Sequence, residues 1–225
     1  RFRFLETIHD FVREKLEASG EAVDIRNRHL AYFAKFAETM ETNVDGADQI
    51  KWTLISDQEQ NNLRAALDWG LQAEAQFIDG LQVAAATSVY WLARSYYREG
   101  VERVNAYLMR ATEPAHQLFR AKLLYRGGAM AGYLFDFILG KRYCEQAVDI
   151  ARKLSNKRDL ANALFYLSEI DYNLGLMKEA RAELEECISL CWETNYTPQL
   201  TISLTNLGVL INKEGDFKGA VTMLE

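Results

Sequence analysis

The stretch ANALFYLSEIDYNLGLMKEARAELEECISLCWE, residues 161–193, decides the fold because it recurs. Displaced by 40 residues in either direction, its small residues fall on small ones and its large residues on large ones. Ala180 falls on Gly140 and Ala220, and with a second step on Gly100. Ser168 falls on Gly128, Gly208 and Ser88; Met177 falls on Phe137, Phe217 and Tyr97. Leu164 falls on Leu124 and Leu204, and Cys187 on Ala147. Self-similarity at a fixed period of roughly 20–50 residues marks stacked supersecondary units, none of which buries its apolar face alone.

Within this frame the apolar spacing predicts antiparallel helix pairs. They run over 77–94 with 101–112, 119–134 with 137–154, 159–174 with 177–193, and 198–214 with 217–225. Small residues at Gly140, Ala180 and Ala220 let the second helix of a pair approach the first. Phe137, Met177 and Phe217 fill the gap at the turn. Gly175 and Gly215 fit a left-handed helix cap, which glycine adopts without steric cost. Phe135 stands in that place one repeat earlier, which predicts a turn of different construction.

Ahead of the repeats, Arg1–Phe4 alternates charge and aromatic residues, as the last strand of a preceding domain does. Helices are expected over 5–16, stopped by Ser19-Gly20, and over 21–40, followed by a loop at Asn43–Gly46. A short amphipathic segment, Gln49–Ile55, carries Trp52. Ser56 or Asp57 is then expected to cap a further helix that buries Leu63, Leu67 and either Ala66 or Trp69. The expected organisation is a helical linker over 1–75 and a solenoid over 76–225.

Composition narrows the function classes. Hydrophobic residues make up 49% and charged residues 26%, enough for a core and ordinary for a soluble protein. Two prolines leave room for long helices. The net charge of −6 lacks the basic footprint of a nucleic-acid binder. Three cysteines give no disulfide framework and fit a reducing cytosol, so a cytoplasmic location is expected. No apolar run approaches the roughly 18 residues of a membrane span. The chain opens on Arg1 and closes inside a helical pattern, so it is expected to be part of a longer protein.

Chemistry-bearing motifs are sparse. Gly140-Lys141-Arg142 lacks both the upstream glycine and the Ser or Thr of a phosphate loop. Cys187 and Cys191 share a helix face, but a metal would need two more ligands. His9, His29 and His116 form no helical pair, and no nucleophile accompanies them. Arg94, Arg98, Arg103 and Arg110 are interleaved with Glu99, Glu102 and Glu113, the pattern of a solvated, salt-bridged surface. No catalytic, cofactor or metal residues are expected in this stretch.

Leu167-Ser168, Gly175, Met177, Ala180 and Cys187-Ile188, and again Leu207-Gly208, Gly215-Asp216-Phe217 and Ala220, resemble a tetratricopeptide repeat. Such repeats normally span about 34 residues, so a period of 40 implies longer helices or loops. The resemblance implies an all-α, right-handed superhelix whose first helix in each pair lines a concave groove. On this sequence the groove residues would be Tyr125, Tyr133, Phe165, Glu169, Tyr172, Asn173, Thr205, Asn212 and Lys213. Tyr and Asn combine contact area with polar handles, which suits a protein, a peptide or a small effector. Equally, Phe165 and Tyr172 could pack between repeats. Tyr125/Ala129 and Phe165/Glu169 stand where a basic clamp for a peptide carboxylate would need Lys and Asn, which disfavours a chaperone-tail receptor.

Four further strings occur in order: residues 4–11 (FLETIHDF), 18–22 (ASGEA), 28–33 (RHLAYF) and 59–69 (EQNNLRAALDW). Together they resemble the segment after the nucleotide-binding and winged-helix modules of bacterial STAND-class signal-transduction ATPases. That class includes LuxR-type and antibiotic-regulator-type transcription factors. The resemblance implies an upstream ATPase module and a role for this chain as a non-catalytic sensor and interaction arm. Arg1–Phe4 would then end the winged helix. A standalone scaffold that assembles other proteins is the alternative.

Overall fold

The computed structural model describes residues 6–44, 46, 48–213 and 215, with the side chains of 6–10 and 13 left out. Among the described residues every regular element is helical. The expected strand at Arg1–Phe4 and the helix over 217–225, with Phe217 and Ala220, lie outside them. The chain divides into two compact units, Arg1–Val83 and Ala84–Glu225.

The first unit contains α1 (Glu6–Ser19), α2 (Ala22–Val44) and α3 (Gln49–Gln72). Gly20, at φ +77°, ends α1. Phe36 meets Trp52, while Asn27 Oδ1 accepts from Trp69 Nε1 at 2.8 Å, so α2 and α3 run antiparallel. Arg26 caps that end over the Trp69 ring, 5.2 Å from its centroid. Leu30, Phe33, Ala37 and Met40 of α2 are buried, as are Leu63, Ala66 and Leu67 of α3. The break expected at Ser56 and Asp57 is absent: α3 is continuous from Gln49. Ser56 is buried and its hydroxyl donates to the Trp52 carbonyl at 2.7 Å, one turn back, instead of capping a new helix. Asn62, which would favour a cap, is held inside the helix by the Glu59 carboxylate at 2.7 Å.

From α4 (Phe77–Ala93), whose first residues 77–83 belong to the first unit, the chain follows the period of 40. After α4 and α5 (Tyr97–Arg110) come α6 (Gln117–Tyr133), α7 (Phe137–Lys153), α8 (Lys157–Asn173), α9 (Met177–Thr194) and α10 (Thr197–Lys213). The α5 helix starts at Tyr97, four residues before the expected Val101, because the turn before it is short. The extra length over a 34-residue unit lies in the helices: α6, α7, α8 and α10 each have 17 residues.

The turns share one construction. Ser95, Phe135, Ser155, Gly175, Asn195 and Gly215 all have φ between +51° and +90°. In the first five, the following residue returns its N–H to a carbonyl five positions back: Tyr96 to Trp91, Asp136 to Ala131, Asn156 to Ala151, Leu176 to Asp171 and Tyr196 to Cys191, at 2.8–3.0 Å. This is the Schellman closure, which satisfies orphan carbonyls at a helix end. The turn at Phe135 is therefore built like its neighbours, not differently. A phenylalanine holds the left-handed conformation there, against the steric preference of a side chain.

Close approach inside the second unit is set by glycine. A Cβ on Gly128 would stand 2.9 Å from the Gly140 carbonyl oxygen and 2.5 Å from Cys144 Sγ, so α6 and α7 touch backbone to backbone. Ala180 is buried at the matching place in α9. Gly100 makes room for Met130, whose sulfur would lie 2.2 Å from an added Cβ.

Candidate functional site

The first helices of successive pairs, α6, α8 and α10, bound a cavity of about 420 Å³. The register of its walls follows the period. Ala129, Glu169 and Val209 line it at steps of 40, as do Tyr166 and Asn206, and Gly132 and Tyr172. Phe135 and Phe137, from the turn into α7, add to one wall.

Four of the nine groove residues suggested by the sequence lie here: Tyr133, Glu169, Tyr172 and Asn173. Lys213 stands beside them, its Nζ 3.0 Å from the Tyr172 hydroxyl and 4.3 Å from the ring centroid. Thr205 and Asn212 are exposed on α10 and do not line the cavity. Tyr125 and Phe165 are 2% and 6% exposed and are core residues, not groove residues. Tyr125 instead donates its hydroxyl to Asp159 Oδ1 at 3.3 Å. The correction is one of register. The inward positions are 166 and 206, not 165 and 205, and one residue rotates a side chain by about 100° on a helix of 3.6 residues per turn.

Electrostatically, the site is organised by Glu169. Its Oε1 accepts from Asn206 Nδ2 at 3.4 Å. Burial holds the carboxyl above its ordinary range, and the Asn206 hydrogen bond pulls the other way. The Tyr133 hydroxyl is pushed up to about 12, first by burial and then by the charge of Glu169, with Tyr97 adding to it. The Tyr97 and Tyr133 rings lie 5.0 Å apart, so the aromatic wall continues onto α5. The residues that sequence reasoning missed are Phe135, Phe137, Tyr166, Asn206 and Val209. The repeat carried a signal for one of them: Phe135 stands where Gly175 and Gly215 stand one and two periods on.

A second recess of about 280 Å³ lies between α7, α8 and α9, with Glu145, Asp149, Arg152, Glu183 and Glu186 in its walls. Beside it, Lys141 binds both oxygens of buried Asp171, at 2.7 and 2.8 Å. The Glu183 carboxyl is pushed up to about 8, chiefly by burial and next by the charge of Asp171, while Lys141 pulls it down. Its buried Oε2 has no hydrogen-bond partner among the described residues. The folded form therefore keeps a proton that the unfolded chain releases at about the ordinary value of 4.5. Stability from this group is full below that value and is lost as pH rises towards 8. Glu183→Gln is expected to stabilise the chain by about 1 kcal/mol at pH 8, discounted for partial solvent access, and to be nearly neutral at pH 5. Thermal melts of both proteins across that range check this; a gap that fails to widen with pH overturns it.

Among the described residues, the cysteines and histidines lie apart from these two sites. Cys144, Cys187 and Cys191 are buried thiols, with Cys187 pushed up to about 12 mainly by burial. His29 leans on Phe33 at 4.6 Å, and His116 Nδ1 accepts from the Glu113 backbone at 3.4 Å. The side chain of His9 lies outside the described residues. Among the described residues no cluster of three or more metal-binding side chains occurs. No described helix is long and apolar enough to cross a membrane.

Solved structures with this architecture include BtubC from P. vanneervenii, with a TM-score of 0.64 at 16% identity over 88% of each chain. They also include YrrB, a tetratricopeptide-repeat protein described by its unusual peptide-binding site, with a TM-score of 0.50 at 19% identity, covering 84% of this chain and 88% of that one. The fold is a tetratricopeptide-like helical repeat. No family model matches the chain. In sequence it is 30% identical, over 173 residues and 73% of its length, to mycobacterial proteins named "Putative HTH-type transcriptional regulator", from Mycobacterium tuberculosis and Mycobacterium bovis. It spans about a fifth (19%) of the length of these relatives.

Proposed function

We propose that this tetratricopeptide-like chain is the non-catalytic sensing arm of a multidomain transcriptional regulator. The observation that carries the reading is the 30% identity, over 73% of the chain, to proteins named as HTH-type regulators. A ligand or partner in that cavity touches three successive first helices at once. It shifts an on/off balance by as much as its affinity differs between the two states. The STAND-class ATPase and LuxR-type parts of the reading rest on the resemblance of the four ordered strings between Phe4 and Trp69, on which the motor would lie upstream; the low cysteine count supports a cytoplasmic protein. The peptide-binding site named for YrrB supports a groove of this kind as a place for a peptide.

The test is made in the full-length protein. Deleting residues 1–225 of this chain from the regulator, at its chromosomal locus, is expected to alter the transcript profile. The cavity-filling change Val209→Trp should alter an overlapping set of transcripts. An unchanged profile on deletion overturns the regulatory reading.

A further inference from the structure

The α6–α8–α10 cavity has a more specific chemistry than an apolar groove. Its walls are rich in aromatic rings: Tyr133, Phe135, Phe137, Tyr166 and Tyr172. Among the described residues that line it, Glu169 is the one that carries a charge. Among the described residues, Asn206 gives that carboxylate a single long hydrogen bond and no cation offsets its burial. Aromatic faces carry the negative side of the ring quadrupole, and a cation over such a face is attracted to it. Lys213 already shows this attraction on the Tyr172 ring. An anion seated at Glu169 would meet that carboxylate and the ring faces together, whereas the Lys213 ammonium stands at the Tyr172 ring, 3.0 Å from its hydroxyl.

Phe135 supplies an independent observation. It is 82% exposed, lines the cavity, and holds φ at +64°, where the repeat equivalents are Ser95, Gly175 and Gly215. A bulky residue in that region is an outlier, and such strain collects at ligand sites. Neither core packing nor turn formation needs an aromatic there.

Resting on the reading of this cavity as the sensing site, the geometry points to a small organic cation as its ligand. The ligand is a protonated amine or guanidinium on an apolar body, with its charge towards Glu169 and its body against Phe135, Phe137 and Tyr172. The volume of about 420 Å³ lies within the range of small-ligand sites, roughly 300–1,000 Å³.

Three probes of one shape and different charge test this: benzamidine, benzamide and benzoate, titrated calorimetrically into the 225-residue chain. Benzamidine is expected to bind saturably at one site. Benzamide should bind at least about tenfold more weakly and benzoate not at all. Glu169→Gln, checked for native helicity, should weaken benzamidine about tenfold and leave benzamide unchanged. Benzamide binding as well as benzamidine, any benzoate binding, no benzamidine binding, or an unaffected Glu169→Gln protein each overturns the inference. If Glu169→Gln fails to fold, the benzamidine-to-benzamide ratio of the parent decides alone. An acetyl-Gly-Arg-Gly-amide peptide binding more than about tenfold tighter than benzamidine would put the cation on a polypeptide and overturn the small-molecule source. The deletion experiment tests the regulatory reading separately, so either one can fail while the other stands.

Discussion

Gly128→Leu is expected to destabilise the repeat unit by more than about 3 kcal/mol, the upper part of the range for overpacking a tight core. The first added carbon alone would sit 2.9 Å from the Gly140 carbonyl oxygen and 2.5 Å from Cys144 Sγ. Gly140 offers only backbone at that point, and Cys144 is fully buried on a short side chain, so neither can swing aside. α6 and α7 must separate, and α7 also packs on α8 through Ile170, 3.0 Å from a Cβ on Gly140. Gly132, one turn on in α6, is the control. Its Cβ would meet only Ile170 at 3.4 Å, an ordinary contact. Gly132→Ala should therefore be neutral or gain up to about 1 kcal/mol from helix propensity. Urea denaturation followed by circular dichroism measures both. Equal effects at the two positions would mean that the backbone contact at Gly128 does not set the helix spacing.

The second large effect is expected in the leucine column of the repeat. Leu124 and Leu164 are 0% and 2% exposed, and each should cost about 2–5 kcal/mol on replacement by alanine. Leu204, the next in the column, is only half-buried, so Leu204→Ala should cost clearly less. The mechanism is the same at all three positions: lost transfer free energy plus the cavity left in a core that collapses only partly. Denaturation midpoints of the three alanine variants give the order. A Leu204→Ala cost equal to the other two would show that sequence equivalence, not burial, sets the contribution.

The architecture was legible because a stack imposes the same steric demand every 40 residues. Gly140 and Ala180 answer the same demand for close approach, and Leu124 and Leu164 the same demand for volume. The helix ends at Gly175 and Gly215 were legible for the same reason, since glycine occupies φ > 0 at no steric cost. The turn at Phe135 was misread because local propensity argues against phenylalanine there, while the closure from Asp136 to Ala131 holds it in place regardless. The continuity of α3 was hidden likewise. Ser56 and Asn62 favour caps as isolated residues, and only bonds to Trp52 and Glu59 satisfy them inside a helix.

The site was half legible. The tetratricopeptide resemblance suggested Tyr133, Glu169, Tyr172 and Asn173, which the fold brings to one cavity. Tyr125 and Phe165 carry the same kind of side chain but lie one position off the inward register, and they are buried. Composition does not distinguish adjacent positions on a helix; the packing of α6 against α7 and α8 does. By itself, then, the sequence determined the repeat, its period and its helical class, because these follow from side-chain size and backbone preference along the chain. Only the tertiary structure decided which face of α8 looks into the cavity and that Asn206 meets Glu169 across 37 positions. It alone also placed Phe135 in the wall. Those are relations between helices, set by packing at a distance that no local stretch encodes.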